Sequence, residues 1–274
     1  MTLEKIYFIL AVIGAVADII SLIQFFGDSE TKKGPAIIVM ILGTCALFYG
    51  CLKLFPSPEP VPPEPVSSEP VSSELYNVGE NIDFGSYPQT ALGEYQPISW
   101  RVLDIQNDKA LLISEKVLDS VKYNNRSGSV AWENCSLREW LNSDFYYSAF
   151  SSDEKNKIAD SELYCPSNPK YNTYGGSRTV DKVFVLNVDE ARKYFLDDQD
   201  RKAAATEYAK KRGSYVTEEH QLFNGLLTSW YWLRTPGQSN DKAMRVYNSG
   251  GIDYKGTKTD YEKVSVRPAI WVYM

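Results

Sequence analysis

The stretch ISWRVLDIQNDKALLIS, residues 98–114, decides the fold class of this chain. Apolar residues alternate with polar ones from Ile98 to Val102, which is the period-two pattern of a half-buried strand. Asn107 and Asp108 interrupt the pattern, and the chain is apolar again just after them. The stretch therefore predicts a β-hairpin that turns one face toward a core.

Three predicted helix starts follow this hairpin. In each, a Ser or Asn precedes a Glu by three residues, so that the first side chain can cap the helix and the Glu can accept a bond from the capping residue. The pairs are Ser136 with Glu139, Ser151 with Glu154, and Asn187 with Glu190. Residues 201–211 are also rich in helix-forming residues, and Gly213 stands where a left-handed helix end is expected.

Strand-like patterns return after Gly225. They cover residues 229–234, 243–247 and 264–272, and a turn is predicted at residues 248–251, Asn-Ser-Gly-Gly. Strands followed by helices and again by strands indicate an α+β class rather than repeated βαβ units. We predict one compact domain over residues 75–274, with an antiparallel sheet and helices.

The first 55 residues have the pattern of a membrane anchor. Residues 6–26 contain one ionisable side chain, Asp18, and residues 36–55 begin with a run that is uncharged up to Leu52. About 20 apolar residues are needed to span a bilayer as a helix. Because a short polar connection separates the two runs, we predict a transmembrane hairpin of two α-helices that contacts the lipid bilayer.

Two alternatives remain open for this anchor. A signal peptide ending near Ala17 would leave the second run as the anchor. Asp18 would cost ~3 kcal/mol at the centre of a lipid-facing helix, so we expect it to face another helix and to favour a homo-oligomer. A proton or ion relay is the alternative role for this intramembrane carboxyl group.

A proline-rich linker joins the anchor to the domain. Residues 56–74 read PSPEPVPPEPVSSEPVSSE, a composition that favours extended polyproline II and a stalk of up to roughly 60 Å. Lysines flank both spans and also lie between them, so charge does not decide the orientation. Since a stalk is useful where a cell wall must be crossed, we predict a two-span cell-membrane protein with an extracytoplasmic domain.

Composition excludes several classes of function. The chain has 29 Lys plus Arg against 35 Asp plus Glu and a single His, so we expect neither a nucleic-acid partner nor a metal site. No cofactor motif and no catalytic residue can be assigned. Cys135 and Cys165 are 30 residues apart, so they either form a disulfide outside the cell or remain free thiols.

Three arginines lie within the most apolar motifs of the domain. If Arg138, Arg234 and Arg267 are buried, each needs a carboxylate or carbonyl partner, which gives a structural ion-pair network. Alternatively, these guanidinium groups lie beside Trp140 and Trp232 as a ligand-binding site for a glycan or a peptide carboxylate. Both interpretations remain open at this point.

Six sequence motifs resemble a bacterial family, the domain of unknown function DUF6273. They are FGSYPQ at 84–89, ISWRVLD at 98–104, WENCSLREWLN at 132–142, DKVFVLNVDEA at 181–191, WYWLRTPG at 230–237 and VRPAIW at 266–271. The last motifs are also similar to the final strands of C-type-lectin-like folds, including formylglycine-generating enzymes. That fold-level similarity implies that residues 81–87 pair with residues 264–272.

These observations lead to a hypothesis about function. We expect a membrane-anchored bacterial protein that presents a ligand-binding domain on a stalk, with a glycan or peptide as ligand. The alternatives are an enzyme, whose pocket should gather several ionisable groups, and a structural protein of the envelope.

Overall fold

The computed structural model describes residues 76–216, 222–223 and 225–274. The chain divides into two units, Met1–Ser68 and Glu69–Met274, and every described residue belongs to the second. None of the helices in this described part has the length and apolar character to cross a bilayer. The features predicted outside it are the spans 6–26 and 36–55, Asp18, and the linker 56–74.

The described part contains strands at both ends of the domain and helices mainly between them. The strands are β1 Asn81–Pro88, β2 Tyr95–Gln106, β3 Lys109–Ser114, β4 Asp119–Ser120, β5 Ser161–Leu163, β6 Thr179–Asp181, β7 Val183–Phe184, β8 Leu222–Phe223, β9 Leu226–Leu227, β10 Tyr231–Pro236, β11 Lys242–Val246, β12 Ile252–Lys258, β13 Ser265–Val266 and β14 Ala269–Tyr273. The α-helices are α1 Ser136–Trp140, α2 Tyr146–Ala149, α3 Ser152–Lys157, α4 Val188–Lys193, α5 Asp198–Arg201 and α6 Glu207–Lys211. A π-helical turn, Leu141–Phe145, joins α1 to α2.

Two five-stranded sheets form the framework. The first has the order β1-β2-β3-β14-β7, with all neighbours antiparallel. The second has the order β12-β11-β10-β13-β4, in which β10 and β13 are parallel and the other neighbours antiparallel. The predicted α+β class with a mostly antiparallel sheet is therefore confirmed for this part of the chain.

The predicted hairpin at residues 98–114 is present as β2 and β3, with Gln106 opposite Lys109. Trp100, in the middle of β2, is fully buried, and its indole N–H donates to the carbonyl of Phe84 at 2.7 Å. Trp132 and Trp232 are also fully buried in the same core. Large aromatic side chains thus supply much of the apolar area that stabilises the two sheets.

The expected pairing of the first and last strands is wrong. β1 is an edge strand that pairs with β2, whereas β14 pairs with β3 on one side and with β7 on the other. The reason lies in β3, whose residues from Ala110 onward are all buried. A strand buried on both faces occupies the interior of a sheet, so its second edge takes β14 as a partner.

The predicted helix starts are mostly present. Ser151 and Asn187 each form a complete capping box with the Glu three residues later. Ser136 does not cap, because the helix begins at Ser136 itself. The sulfur of the preceding residue, Cys135, accepts the bond from the Arg138 N–H instead. The region 201–211 is helical only in α6 and at its first residue, although Gly213 has the expected positive φ of 108°.

Candidate ligand-binding site

Arg234, on β10, lies in the core. Its side chain is 1% exposed, and its two terminal nitrogens donate to the carboxylate of Glu190 at 2.7 and 2.5 Å. They also donate to the carbonyls of Val185 and Tyr164. Since Glu190 is the capping carboxylate of α4, this bidentate pair joins that helix to the second sheet.

Arg267, between β13 and β14, is also buried, with 1% of its surface exposed. Its Nε donates to the carbonyl of Ser114 at 2.9 Å, and Nη1 donates to the carbonyl of Arg201 at 3.2 Å. Within the described residues, no carboxylate lies within ion-pair distance of this guanidinium. It is surrounded instead by main-chain carbonyls and by the ring of Phe195, whose centroid is 5.2 Å from the guanidinium carbon.

Arg138, on α1, is partly exposed, with 29% of its side chain accessible. Its Nε donates to Asp181 at 2.6 Å, and its terminal nitrogens donate to the carbonyls of Glu133 and Val180. Every nitrogen of this guanidinium is therefore engaged within the domain.

The two predicted tryptophans occupy different environments. Trp232 is fully buried, and its indole donates to the carbonyl of Val121 at 2.9 Å. Trp140 is half-buried and packs on Phe145, with ring centroids 5.5 Å apart. Trp232, Arg234 and Arg267 thus present no surface to a ligand, and a direct binding role does not fit their burial.

Cys135 and Cys165 are both free and buried in the structure. Burial raises the pKa of each thiol to about 12. Cys165 donates to the carbonyl of Arg234 at 3.1 Å. Because both thiols are protonated near neutral pH, they act here as packing and hydrogen-bonding groups rather than as nucleophiles.

An arginine in a different environment, Arg212, lies at the surface just after α6. Arg212 has 52% of its side chain exposed, and its Nε donates to Oδ1 of Asp119 at 3.1 Å. Asp119, on β4, is buried, with 3% of its side chain exposed. The hydroxyl of Tyr87 donates to the other oxygen of this carboxylate at 2.8 Å, and the N–H of Ser120 donates to Oδ1 at 2.7 Å.

The buried carboxylate of Asp119 raises the pKa of both side chains that donate to it. The negative charge of Asp119 raises the pKa of Arg212. Burial, and secondly the same charge, raises the pKa of Tyr87 well above its usual range. The guanidinium is therefore charged, and the phenol is a protonated donor, at any physiological pH.

Two further tyrosines form the edge of the site. The rings of Tyr95 and Tyr208 contact the ring of Tyr87 edge-on, with centroids 6.4 and 5.9 Å apart. Tyr95 is 57% exposed, and Tyr208 is half-buried. Tyr87, Tyr95, Asp119, Tyr208 and Arg212 together are called the Arg212 site below.

The Arg212 site can bind an anion. Within the described residues, neither terminal nitrogen of Arg212 has a hydrogen-bond acceptor, whereas its Nε is held by Asp119. The edge formed by Nη1 and Nη2 is thus available for two parallel bonds to a carboxylate. Arg126, Arg178 and Arg192 are exposed too, but no described carboxylate lies within ion-pair distance to orient them.

A cleft of about 350 Å³ lies beside the strand pair that carries Tyr87 and Tyr95. Gln89, Gln96, Ser99, Glu115 and Lys116 are among its lining residues. Glu115 is fixed by two bonds from Arg101, at 2.9 and 2.7 Å. These amide, hydroxyl and charged groups can contact the parts of a ligand that extend beyond its carboxylate.

A metal-based site has no support in the part of the chain that the structure describes. Groups of three or more His, Cys, Asp or Glu side chains that could hold an ion are absent from it. The single histidine, His220, lies outside the described residues.

Asp119 and Arg212, which are 93 residues apart, are not among the site residues predicted from the sequence. One signal was available, because Asp119 interrupts the apolar run VLDSV at 117–121. An acidic residue within a strand-like apolar run indicates a carboxylate with fixed partners. Nothing in the sequence near Arg212, in KKRG at 210–213, distinguishes it from its basic neighbours.

The family described as a domain of unknown function, DUF6273, matches residues 107–274. No curated protein and no solved structure matches the chain.

Proposed function

The chain belongs to the DUF6273 family, and from this premise we propose that it is a membrane-anchored bacterial recognition protein that binds a carboxylate-bearing ligand at the Arg212 site. The observation that carries the proposal is the exposed guanidinium of Arg212, held through its Nε by the buried carboxylate of Asp119. A fixed guanidinium loses less freedom when it binds an anion than a free one does.

The surroundings of the guanidinium favour a peptide or glycan that carries a carboxylate. Tyr95 and Tyr208 offer rings for apolar parts of such a ligand and hydroxyl groups for its polar parts. The neighbouring cleft adds the side chains of Gln89 and Gln96. A small inorganic anion would use only the guanidinium and would leave the two rings and the cleft uncontacted.

The membrane part of the proposal comes from the sequence. Residues 1–55 carry two apolar runs, and residues 56–74 form a Pro- and Glu-rich linker before the domain. In this arrangement the domain recognises its ligand outside the cytoplasmic membrane. The C-type-lectin-like similarity is a separate hypothesis about the fold, and the binding proposal does not depend on it.

Binding is tested with the full-length protein in detergent, on arrays of peptides and glycans. Each peptide is present with a free C-terminal carboxylate and with an amide, and glycans with and without uronic acids are compared. We expect binding that requires the carboxylate and is lost in Arg212→Gln. Binding of equal strength to the acid and amide forms would contradict the proposal.

Lys211→Gln is the matched control, since it removes one exposed positive charge from the adjacent residue. Because no carboxylate among the described residues pairs with Lys211 to orient it, this variant should bind as the unmodified protein does. Equal losses in both variants would show that general positive charge, rather than the Arg212 site, attracts the ligand.

The sidedness is tested by placing a single cysteine in the linker at Ser67 and labelling intact cells with an impermeant thiol reagent. Because Cys45, Cys51, Cys135 and Cys165 are present in the chain, each is first replaced by Ser or Ala. Labelling of intact cells is expected. Protection until lysis would place the domain in the cytoplasm.

A further inference from the structure

A second cleft lies at the other end of β2, where that strand turns into β3. Its volume is about 350 Å³, and Trp271 of β14 lines it together with residues from two segments. One segment is the hairpin tip, with Gln106, Asn107 and Asp108, and the other contains Asp160 and Glu162. We refer to it as the Trp271 cleft.

Backbone hydrogen bonds fasten both walls of the Trp271 cleft to the end of the chain that carries Trp271. The N–H of Met274 donates to the carbonyl of Asp108 at 2.9 Å, and the N–H of Ala159 donates to the carbonyl of Trp271 at 2.8 Å. Asn107 adopts a left-handed φ of 55°, which closes the hairpin tightly. The cleft is therefore preformed by the fold.

The indole of Trp271 differs from most other indoles in the domain. The N–H groups of Trp100, Trp132, Trp230 and Trp232 donate to named acceptors at 2.7–3.2 Å. In the described part of the chain, no acceptor lies within hydrogen-bonding distance of the indole N–H of Trp271. Trp271 is half-buried and lines the polar cleft, and no described acceptor competes with a ligand for its indole N–H.

The chemistry of the walls matches a saccharide. A pyranose presents C–H groups on one face, which pack on an aromatic ring, and hydroxyl groups around its edge. The hydroxyl groups need both acceptors and donors, and the walls provide carboxylates from Asp108 and Asp160 as well as amides from Gln106 and Asn107. Gln106 and Asp160 keep their bonds to Asp104 and Lys182 in any case. An apolar ligand would cover the carboxylate of Asp108 and the amide of Asn107 without replacing their contacts with water.

We propose that the Trp271 cleft is a second binding site, which takes a neutral saccharide with one pyranose ring against the indole of Trp271. It shares no residue with the Arg212 site. Tyr95 begins β2 and Gln106 ends it, so about 35 Å of extended strand separates the two sites. Sugar binding at the Trp271 cleft can therefore be tested separately from carboxylate binding at the Arg212 site.

The test uses the full-length protein in a detergent without sugar groups, because a glycoside detergent would compete for the cleft. Cellotriose and N,N′,N″-triacetylchitotriose are titrated to about 10 mM while the indole N–H signals are followed by NMR. We expect a saturable shift of the Trp271 signal with at least one of these sugars. Trp271→Ala should weaken binding roughly tenfold or more, and Trp271→Phe, which keeps a ring, by less.

Trp140→Phe is the matched control, because Trp140 is also half-buried and its indole also has no acceptor in the described residues, yet it does not line this cleft. That variant and Arg212→Gln should bind the sugar as the unmodified protein does. The proposal is overturned if neither sugar shifts the Trp271 signal. It is overturned equally if Trp271→Ala leaves the affinity unchanged, or if Arg212→Gln abolishes sugar binding.

Discussion

Two arginine–carboxylate pairs in this domain are arranged in opposite ways. In the core, Arg234 is 1% exposed and its partner Glu190 is 25% exposed. At the surface, Asp119 is 3% exposed and its partner Arg212 is 52% exposed. The first pair therefore hides its cation, whereas the second hides its anion and presents the cation to solvent.

This difference separates a structural pair from a candidate binding pair. The terminal nitrogens of Arg234 already donate to a carboxylate and to two carbonyls, so no donor on them remains for a ligand. Arg212 uses only its Nε to donate to Asp119. An arginine within a conspicuous apolar motif is thus a poor guide to function when the motif itself forms the core.

The largest expected effect concerns the core pair. Glu190→Gln should lower the free energy of unfolding by about 3–5 kcal/mol, because it leaves the buried guanidinium of Arg234 without a counter-charge. Urea denaturation of the full-length protein in detergent, followed by tryptophan fluorescence, measures this loss. Glu139→Gln, at an exposed helical carboxylate, is the control and should change little. A loss below about 1 kcal/mol for Glu190→Gln would mean that the two pairs do not differ in their contribution to the free energy of unfolding.

Asp119→Asn should have a smaller effect on stability, of about 1–3 kcal/mol. Tyr87 and Arg212 both donate to this side chain, so an amide group in place of one oxygen leaves one of them without an acceptor. The variant should also weaken carboxylate binding, since Arg212 loses the group that orients it. Unchanged binding would show that the guanidinium needs no buried partner.

Arg212→Gln should cost only about 1 kcal/mol in unfolding free energy. Water can replace a half-exposed guanidinium, and Asp119 keeps its bonds from Tyr87 and Ser120. The contrast between this small loss and a complete loss of binding would separate function from folding. A loss of unfolding free energy as large as that of Glu190→Gln would show that Arg212 has a structural role like that of Arg234.

The pH dependence of binding should be the smallest effect. Asp119 raises the pKa of Arg212, and a raised pKa keeps a cation charged to higher pH. Affinity for a carboxylate probe should thus stay constant from about pH 5 to about pH 9, since carboxylates ionise below this range. A decline between about pH 6 and 7 would instead assign the binding charge to His220.

Local patterns were sufficient to predict several elements of the fold. Alternation predicted the hairpin of β2 and β3, and spacing predicted the caps at Ser151 and Asn187. The predicted cap, Ser136, lies one residue after the observed cap, Cys135, because Ser is the usual capping residue and a cysteine sulfur rarely accepts this bond. These features depend on neighbours within a few positions.

The strand order and the candidate site depend on distant residues. Sequence alone did not show that β14 would insert beside β3, since that choice depends on the burial of both faces of β3. Asp119 and Arg212 come together only through the tertiary fold. Because Arg234 and Arg267 are buried, we propose the ligand-binding interpretation of a guanidinium group beside aromatic rings for Arg212 with Tyr95 and Tyr208 instead.

We propose that Arg212 presents its terminal nitrogens to a carboxylate. The most direct measurement is NMR of the arginine side-chain nitrogens in the full-length protein, titrated with N-acetylalanine and with its amide. We expect the Arg212 signal to shift with the acid, to stay in place with the amide, and to be absent in Arg212→Lys. A response to the acid at other arginines, with the Arg212 signal unchanged, would contradict it.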